Sequence, residues 1–263
     1  MPILDTRLGK ISYTRAGRGK TMVFLHAAGH NQHDFDAVSN DLQRGFDVVV
    51  FDWPGHGESD MHPHPENVRA GDFVEVFEEV VRQFGLKDLI LIGSSVGGYA
   101  AASYALRHPK NVRALVLVNS GGFNDPDLTT RLFCTMKGSV WVTRFLWNIF
   151  PAFYIKKRNP ESLEILNGIR KRKNIKDFIL NASIWRSFLS SDYDLRSSVR
   201  DIQCPTLLLW GRKDPVIRPE IGRKIQGIIP GSQFVPMETG HVPFAEDPAG
   251  FLGHLKTFLS SLP

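Results

Sequence analysis

Leu89-Ile90-Leu91-Ile92-Gly93-Ser94-Ser95-Val96-Gly97-Gly98-Tyr99-Ala100-Ala101-Ala102 passes from an unbroken apolar run, through glycines and serines, into small helix-compatible residues. The apolar run reads as a strand buried on both faces, and the alanines open a helix. Between them stands G-x-S-x-G in the strand–turn–helix context that the nucleophile-elbow pattern requires. So tight a turn forces its serine into strained backbone geometry, and flanking glycines relieve the crowding around it. Only Ser95 has glycines at both −2 and +2. Ser95, not Ser94, is therefore the candidate nucleophile.

Outward from this turn the same rhythm repeats. Strands are expected at Ile11–Arg15, Thr21–His26, Asp47–Asp52, Leu89–Ser94, Ala114–Ser120, Thr206–Gly211 and Gln233–Met237. Helical patterns cover Asp34–Gln43, Glu66–Phe84, Gly98–His108, Pro219–Ile229 and Asp247–Leu262. Such alternation predicts an α/β protein with a doubly wound, mostly parallel sheet. Residues 122–198 break the rhythm and predict a helical cap inserted before the strand that carries Asp214, leaving 1–121 and 199–263 as the core. Residues 121–200 carry a net charge of +7, against −2 for the rest of the chain, and hold twelve of its 28 aromatics. One helix near Ser139–Ile155 is apolar on most of its circumference, which predicts burial on more than one side. An insert at this place would sit over the carboxyl ends of the strands, where open α/β sheets bind ligands.

Four segments together resemble the α/β-hydrolase family. His26-Ala27-Ala28-Gly29 stands where that family has its H-G-x oxyanion loop, and Asp52-Trp53-Pro54-Gly55-His56-Gly57-Glu58-Ser59-Asp60 resembles its D-x-P-G-x-G-x-S segment. Cys204 to Asp214 resembles the strand and turn that deliver an acid, and Gly240 to Pro248 the loop that delivers a histidine. The order Ser95…Asp214…His241 is that of this fold. The resemblance implies Ser95 as nucleophile, His241 as general base and Asp214 as the group that orients it. It also implies the backbone amides of Val96 and Ala28 as oxyanion donors, with Ala27 departing from the usual glycine. Asp125 or Asp127 is the rival acid, because some members place it after the strand ending near Ser120.

These residues predict a serine hydrolase acting on a small-molecule acyl compound, first of all a carboxylic ester with an apolar or aromatic group. Rival readings are a carbon–carbon bond hydrolase, a lactonase, a cofactor-free perhydrolase, or a hydrolase-like ligand receptor with slow turnover. Trp141, Phe145, Trp185 and His30 are the candidate pocket residues. No cofactor is expected, nor a metal, because His26, His30 and His33 lack companions at a recognised ligand spacing. His62 and His64 read as exposed loop residues, and Asp52 and Glu246 as structural. Lys156–Arg158 and Arg170–Lys173 read as solvated faces, with attraction of an anionic substrate or weak contact with an anionic membrane as alternatives. No nucleic-acid module is recognisable. Two cysteines and the lack of a signal-like start predict a cytoplasmic protein, and a monomer or homodimer is expected.

Overall fold

A computed structural model describes residues 1–125 and 127–262. The strands are β1 Ile3–Thr6, β2 Gly9–Ala16, β3 Lys20–Leu25, β4 Phe46–Phe51, β5 Leu89–Ser94, β6 Val112–Val118, β7 Thr206–Gly211 and β8 Gln233–Met237. The helices of the flanks are α1 Asp36–Leu42, α2 Ala70–Phe84 and α3 Val96–Arg107 before the insert. Between β6 and β7 come α4 Leu128–Lys137, α5 Val140–Leu146, α6 Phe150–Tyr154, α7 Pro160–Lys171 and α8 Ile175–Ser187. The chain closes with α9 Pro219–Gln226, α10 Pro243–Glu246 and α11 Pro248–Ser260.

The strands form one sheet in the order β1-β2-β4-β3-β5-β6-β7-β8. β2 pairs antiparallel with both β1 and β4, and every pair from β4 to β8 is parallel. Both faces are covered, which explains the continuous apolar strands. Leu89, Leu91, Leu115 and Leu117 point into one core with Phe77, Val80 and Ala101. Ile90, Ile92, Val116 and Val118 point into the other with Val38, Phe251 and Leu255. The expected doubly wound sheet is the one observed. The antiparallel edge strand β1 is an addition, because its half-exposed residues carry no apolar run.

Parallel pairing puts the carboxyl ends of β3, β5, β6, β7 and β8 at one edge of the sheet, with Leu25 beside Gly93, Ser94 beside Val118 and Gly211 beside Met237. Loops from all five strands therefore meet there. The turn after β5 depends on absent side chains. A β-carbon on Gly97 would overlap the Leu25 carbonyl, and one on Gly93 would overlap the Gly97 carbonyl.

The segment between β6 and β7 is helical, but not as one long helix at Ser139–Ile155. Pro151 lacks the N–H and clashes with a continuing helix, so α5 and α6 are separate. Trp141 and Phe145 are 77% and 75% exposed, and Ile149 and Phe153 are exposed as well. The burial expected for this helix on more than one side is therefore corrected: its aromatics divide between pocket and solvent. His62 is also corrected, being buried 3.6 Å from Asp72, whereas His64 is exposed.

Substituting Gly97→Ala should cost about 3 kcal/mol or more, since the added carbon meets a backbone oxygen that no side-chain movement relieves. Gly253→Ala, in α11 with open space around it, should gain about 0.5–1 kcal/mol. Urea midpoints of the two variants check this. Equal effects would contradict the packing argument.

Candidate active site

Ser95 occupies the turn between β5 and α3 with φ 53° and ψ −117°, outside the regions open to most L-residues. Neighbouring backbone holds it there. Its N–H donates to the Val118 carbonyl at 3.1 Å, and its carbonyl accepts from Gly121 and Tyr99 at 2.9 and 3.1 Å. Ser95 is partly exposed and lines a pocket, whereas Ser94 is fully buried with no hydrogen-bond partner for its hydroxyl.

His241 lines the same pocket. Its Nδ1 lies 2.6 Å from Asp214 Oδ2; because an ionised carboxylate only accepts, Nδ1 is the donor and Nε2 is left for the pocket side. Asp214 is buried in a ring of donors. Asn119 Nδ2 donates to Oδ2 at 2.6 Å, and the amides of Val216 and Ile217 donate to Oδ1 at 2.7 and 3.2 Å. This array holds the carboxylate in one orientation.

Asn119 is a residue that the sequence motifs do not reveal. It stands just past β6 with φ 41°, a region that asparagine tolerates better than most residues. Besides Asp214, its amide donates to the Gly240 carbonyl at 3.0 Å and accepts from Gly211 N–H at 2.8 Å. One side chain thus ties the acid's loop to the histidine's loop. Its signal was the Asn-Ser-Gly-Gly stretch after a strand, which reads only as a turn.

Glu246 has a similar task. Its Oε2 accepts from Gly240, Lys156 and Lys157 amides at 2.8–2.9 Å, joining the His241 loop to the chain that follows α6. Tyr154 makes a second joint. Its carbonyl accepts the His241 N–H at 3.0 Å, and its hydroxyl lies 2.8 Å from His30 Nε2. His30 Nδ1 in turn bonds Asp34. With Nδ1–H given to that carboxylate, a neutral His30 accepts the Tyr154 hydroxyl. Burial, with the charges of Asp34 and Asp214, pushes the Tyr154 phenol well above its ordinary pKa, so it remains a donor.

The loop after β3 is shaped by its own network. Trp53 N–H donates to His26 Nε2 at 3.2 Å, leaving Nδ1–H to donate to the Ala27 carbonyl, and burial holds the His26 pKa low. Asp52 accepts the Gln32 amide at 2.7 Å and the Glu58 amide at 3.0 Å, a structural task. Ala28 and Val96 have amides without an acceptor among the described residues, and Ala28 lines the pocket. His33 bonds exposed Asp36, so the three histidines do not converge.

Of the sequence candidates, Ser95, His241, Ala28, His30 and Trp185 share one pocket with Phe150 and Phe188. Trp141 and Phe145 do not reach it and stand in solvent. Asp125 pairs with Arg196 and with Lys224 at 3.0 Å, and Asp127 caps α4 through the Thr130 amide, so neither bonds His241.

Residues 20–135 match the family model described as the alpha/beta hydrolase fold. The chain is 27% identical over 260 residues to Lipase 1 of Psychrobacter immobilis, covering 96% of this chain and 81% of that one. It is 25% identical over 255 residues to the pimeloyl-[acyl-carrier protein] methyl ester esterase of Vibrio vulnificus, covering 92% and 95%. A thermophilic esterase from Thermogutta terrifontis superposes with a TM-score of 0.83 at 22% identity, covering 97% of this chain and 94% of that one. These likenesses show the fold.

Placing a second carboxylate beside Asp214 by Asn119→Asp gives like charges that resist joint ionisation, raising a folded-state pKa above its unfolded value. The stability penalty is then absent below pH ~4 and grows as pH rises above it. The melting-temperature difference from the unsubstituted protein should widen from pH 4 to pH 7. A constant difference would show that Asn119 acts through its other two hydrogen bonds alone.

Proposed function

We propose that this chain, which has the α/β-hydrolase fold, hydrolyses carboxylic esters through an acyl-enzyme on Ser95. The observation that carries the reading is one pocket lined by both Ser95 and His241, with the Nδ1 of His241 held 2.6 Å from Asp214. The relatives named lipase and esterase support the choice of ester among acyl compounds.

In this reading His241 Nε2 takes the Ser95 proton as the hydroxyl oxygen attacks the ester carbonyl. The imidazolium so formed is stabilised by the carboxylate of Asp214, which its donors hold in place. The free amides of Val96 and Ala28 receive the charge developing on the carbonyl oxygen, a contribution of about 3–4 kcal/mol per donor. Collapse expels the alcohol, protonated by His241. Water then enters and attacks the acyl carbon as it gives a proton to His241; collapse breaks the bond to Ser95, releases the acid and returns the proton from His241 to the Ser95 oxygen. Residues 122–198 act as a cap: Phe150, Trp185 and Phe188 from its helices supply the apolar wall for an acyl or alcohol chain.

A second proposal concerns where the substrate is met. Leu128, Leu132, Trp141, Phe145, Ile149 and Phe153 of the insert are exposed apolar side chains, with the Lys156 ammonium 4.6 Å from the Phe153 ring. Apolar groups edged by cations suit an anionic lipid surface.

Turnover of p-nitrophenyl esters from acetate to laurate, with benzoate, checks the first proposal. It should be Ser95-dependent with a chain-length optimum, and Asp214→Asn should lower kcat by about 10⁴-fold, as loss of the corresponding carboxylate does in serine proteases. Undiminished hydrolysis by Ser95→Ala would sink it. For the second, sedimentation with phosphatidylserine vesicles should fall when Trp141 and Phe145 are both changed to Ser, and again when salt is raised. No sedimentation even at low salt would reject the lipid surface.

A further inference from the structure

The pocket that holds Ser95 and His241 also holds a buried cation. Lys137 ends α4 and is 2% exposed, yet its side chain lines the pocket. Its ammonium lies 4.6 Å from the centroid of Phe150 and 5.7 Å from that of Trp185, two rings of the same wall. Two partly buried cations of the insert do have anions: Arg172 meets Asp177 at 2.7 Å, and Arg196 meets Asp194 at 2.8 Å. Lys137 has neither an ion pair nor a side-chain hydrogen bond among the described residues, and none of those lining the pocket is an aspartate or glutamate. The carboxylates behind the pocket wall, Asp34 and Asp214, are engaged by His30 and His241.

Burying an ammonium without a counter-charge is costly, and the faces of two aromatic rings return only part of that cost. Burial alone pulls the Lys137 pKa down to about 8, with no carboxylate to offset it, so the group is mostly charged at neutral pH. An anion entering the pocket would supply that counter-charge. A methionine would fill this apolar wall without the cost. Asn181, 8% exposed and also without a side-chain hydrogen bond among the described residues, is a second polar group on the lining.

We propose that Lys137 is a specificity-determining residue that binds a carboxylate on the substrate, an ester whose acyl or alcohol arm carries a second, ionised carboxyl group. The methylenes of that arm lie against Phe150, Trp185 and Phe188. A monoanion fits better than a phosphate dianion, because one buried positive charge neutralises only one negative charge. This inference rests on the ester-hydrolase reading and adds the class of ester.

The test compares kcat/KM for p-nitrophenyl hemiesters of the C4 to C10 dicarboxylic acids with p-nitrophenyl esters of the monocarboxylic acids of equal length. A second set, acetates of ω-hydroxy acids against acetates of alcohols, places the charge on the alcohol arm. At one length in one set, the charged ester should be preferred about tenfold or more, through KM, and Lys137→Met should bring the ratio to about one or below. Preference for the neutral ester at every length in both sets overturns the proposal. So does an unchanged ratio in a Lys137→Met protein that keeps its melting temperature. If that variant does not fold, Ser95→Ala is titrated calorimetrically with the methyl hemiester of the dicarboxylic acid and the methyl ester of the monocarboxylic acid of the best length. Tighter binding of the hemiester supports Lys137, and equal binding overturns it. Fluorophosphonate labelling of Ser95 and turnover of the neutral esters are read separately, so failure of the hydrolase reading is told apart from failure of the carboxylate site.

Discussion

At the turn after β5, the carbonyls of Leu25 and Gly97 stand where β-carbons on Gly97 and Gly93 would have to be. Three pieces of backbone, from β3, β5 and α3, are packed there without side chains between them. That contact keeps Ser95 at φ 53°, a conformation an unsupported chain would leave, and turns its hydroxyl to the pocket instead of into the helix. Everything else in the site is placed relative to this point. Because β3, β5, β6, β7 and β8 run parallel, their following loops converge on the same sheet edge, and the histidine and its carboxylate arrive from β8 and β7.

Convergence alone would leave the loops loose. Buried polar side chains fix them. Asn119 couples the loops after β7 and β8, and Glu246 gathers four backbone amides from two segments far apart in sequence. Tyr154 bonds His241 through its carbonyl and His30 through its hydroxyl, so the helical insert is fastened both to the histidine's loop and to the loop after β3. These joints are buried, and removing one partner would leave donors or acceptors unsatisfied in a low-dielectric setting. The insert therefore holds the site as well as covering it.

Much of the core was legible because each of its signals is local. Val48-Val49-Val50 or Leu89 to Ile92 can only be comfortable in a strand covered on both sides, and Gly93 to Gly98 describes a turn almost by itself. The insert was legible only as a change of composition. Which aromatic faces the pocket depends on how short helices cross, and Pro151 splits a stretch that periodicity reads as continuous. Trp141 and Phe145 thus look like pocket residues and are not, while Phe150 and Trp185 are. Lys137 and Asn119 were invisible for a related reason. Each has an ordinary local sequence, and its meaning comes from partners it meets, or lacks, across the fold. His62, just before Pro63, reads as loop surface but is buried near Asp72.

The central claim is that the hydroxyl at the β5–α3 turn is the group activated by His241. Its most direct test is mass spectrometry of the protein after brief exposure to a fluorophosphonate, followed by peptide mapping. A single adduct is expected on the peptide containing Ser95, formed at least about 10²-fold more slowly in His241→Ala, where no base takes the proton. An adduct on another residue, or labelling of Ser95 at an unchanged rate without His241, would contradict it.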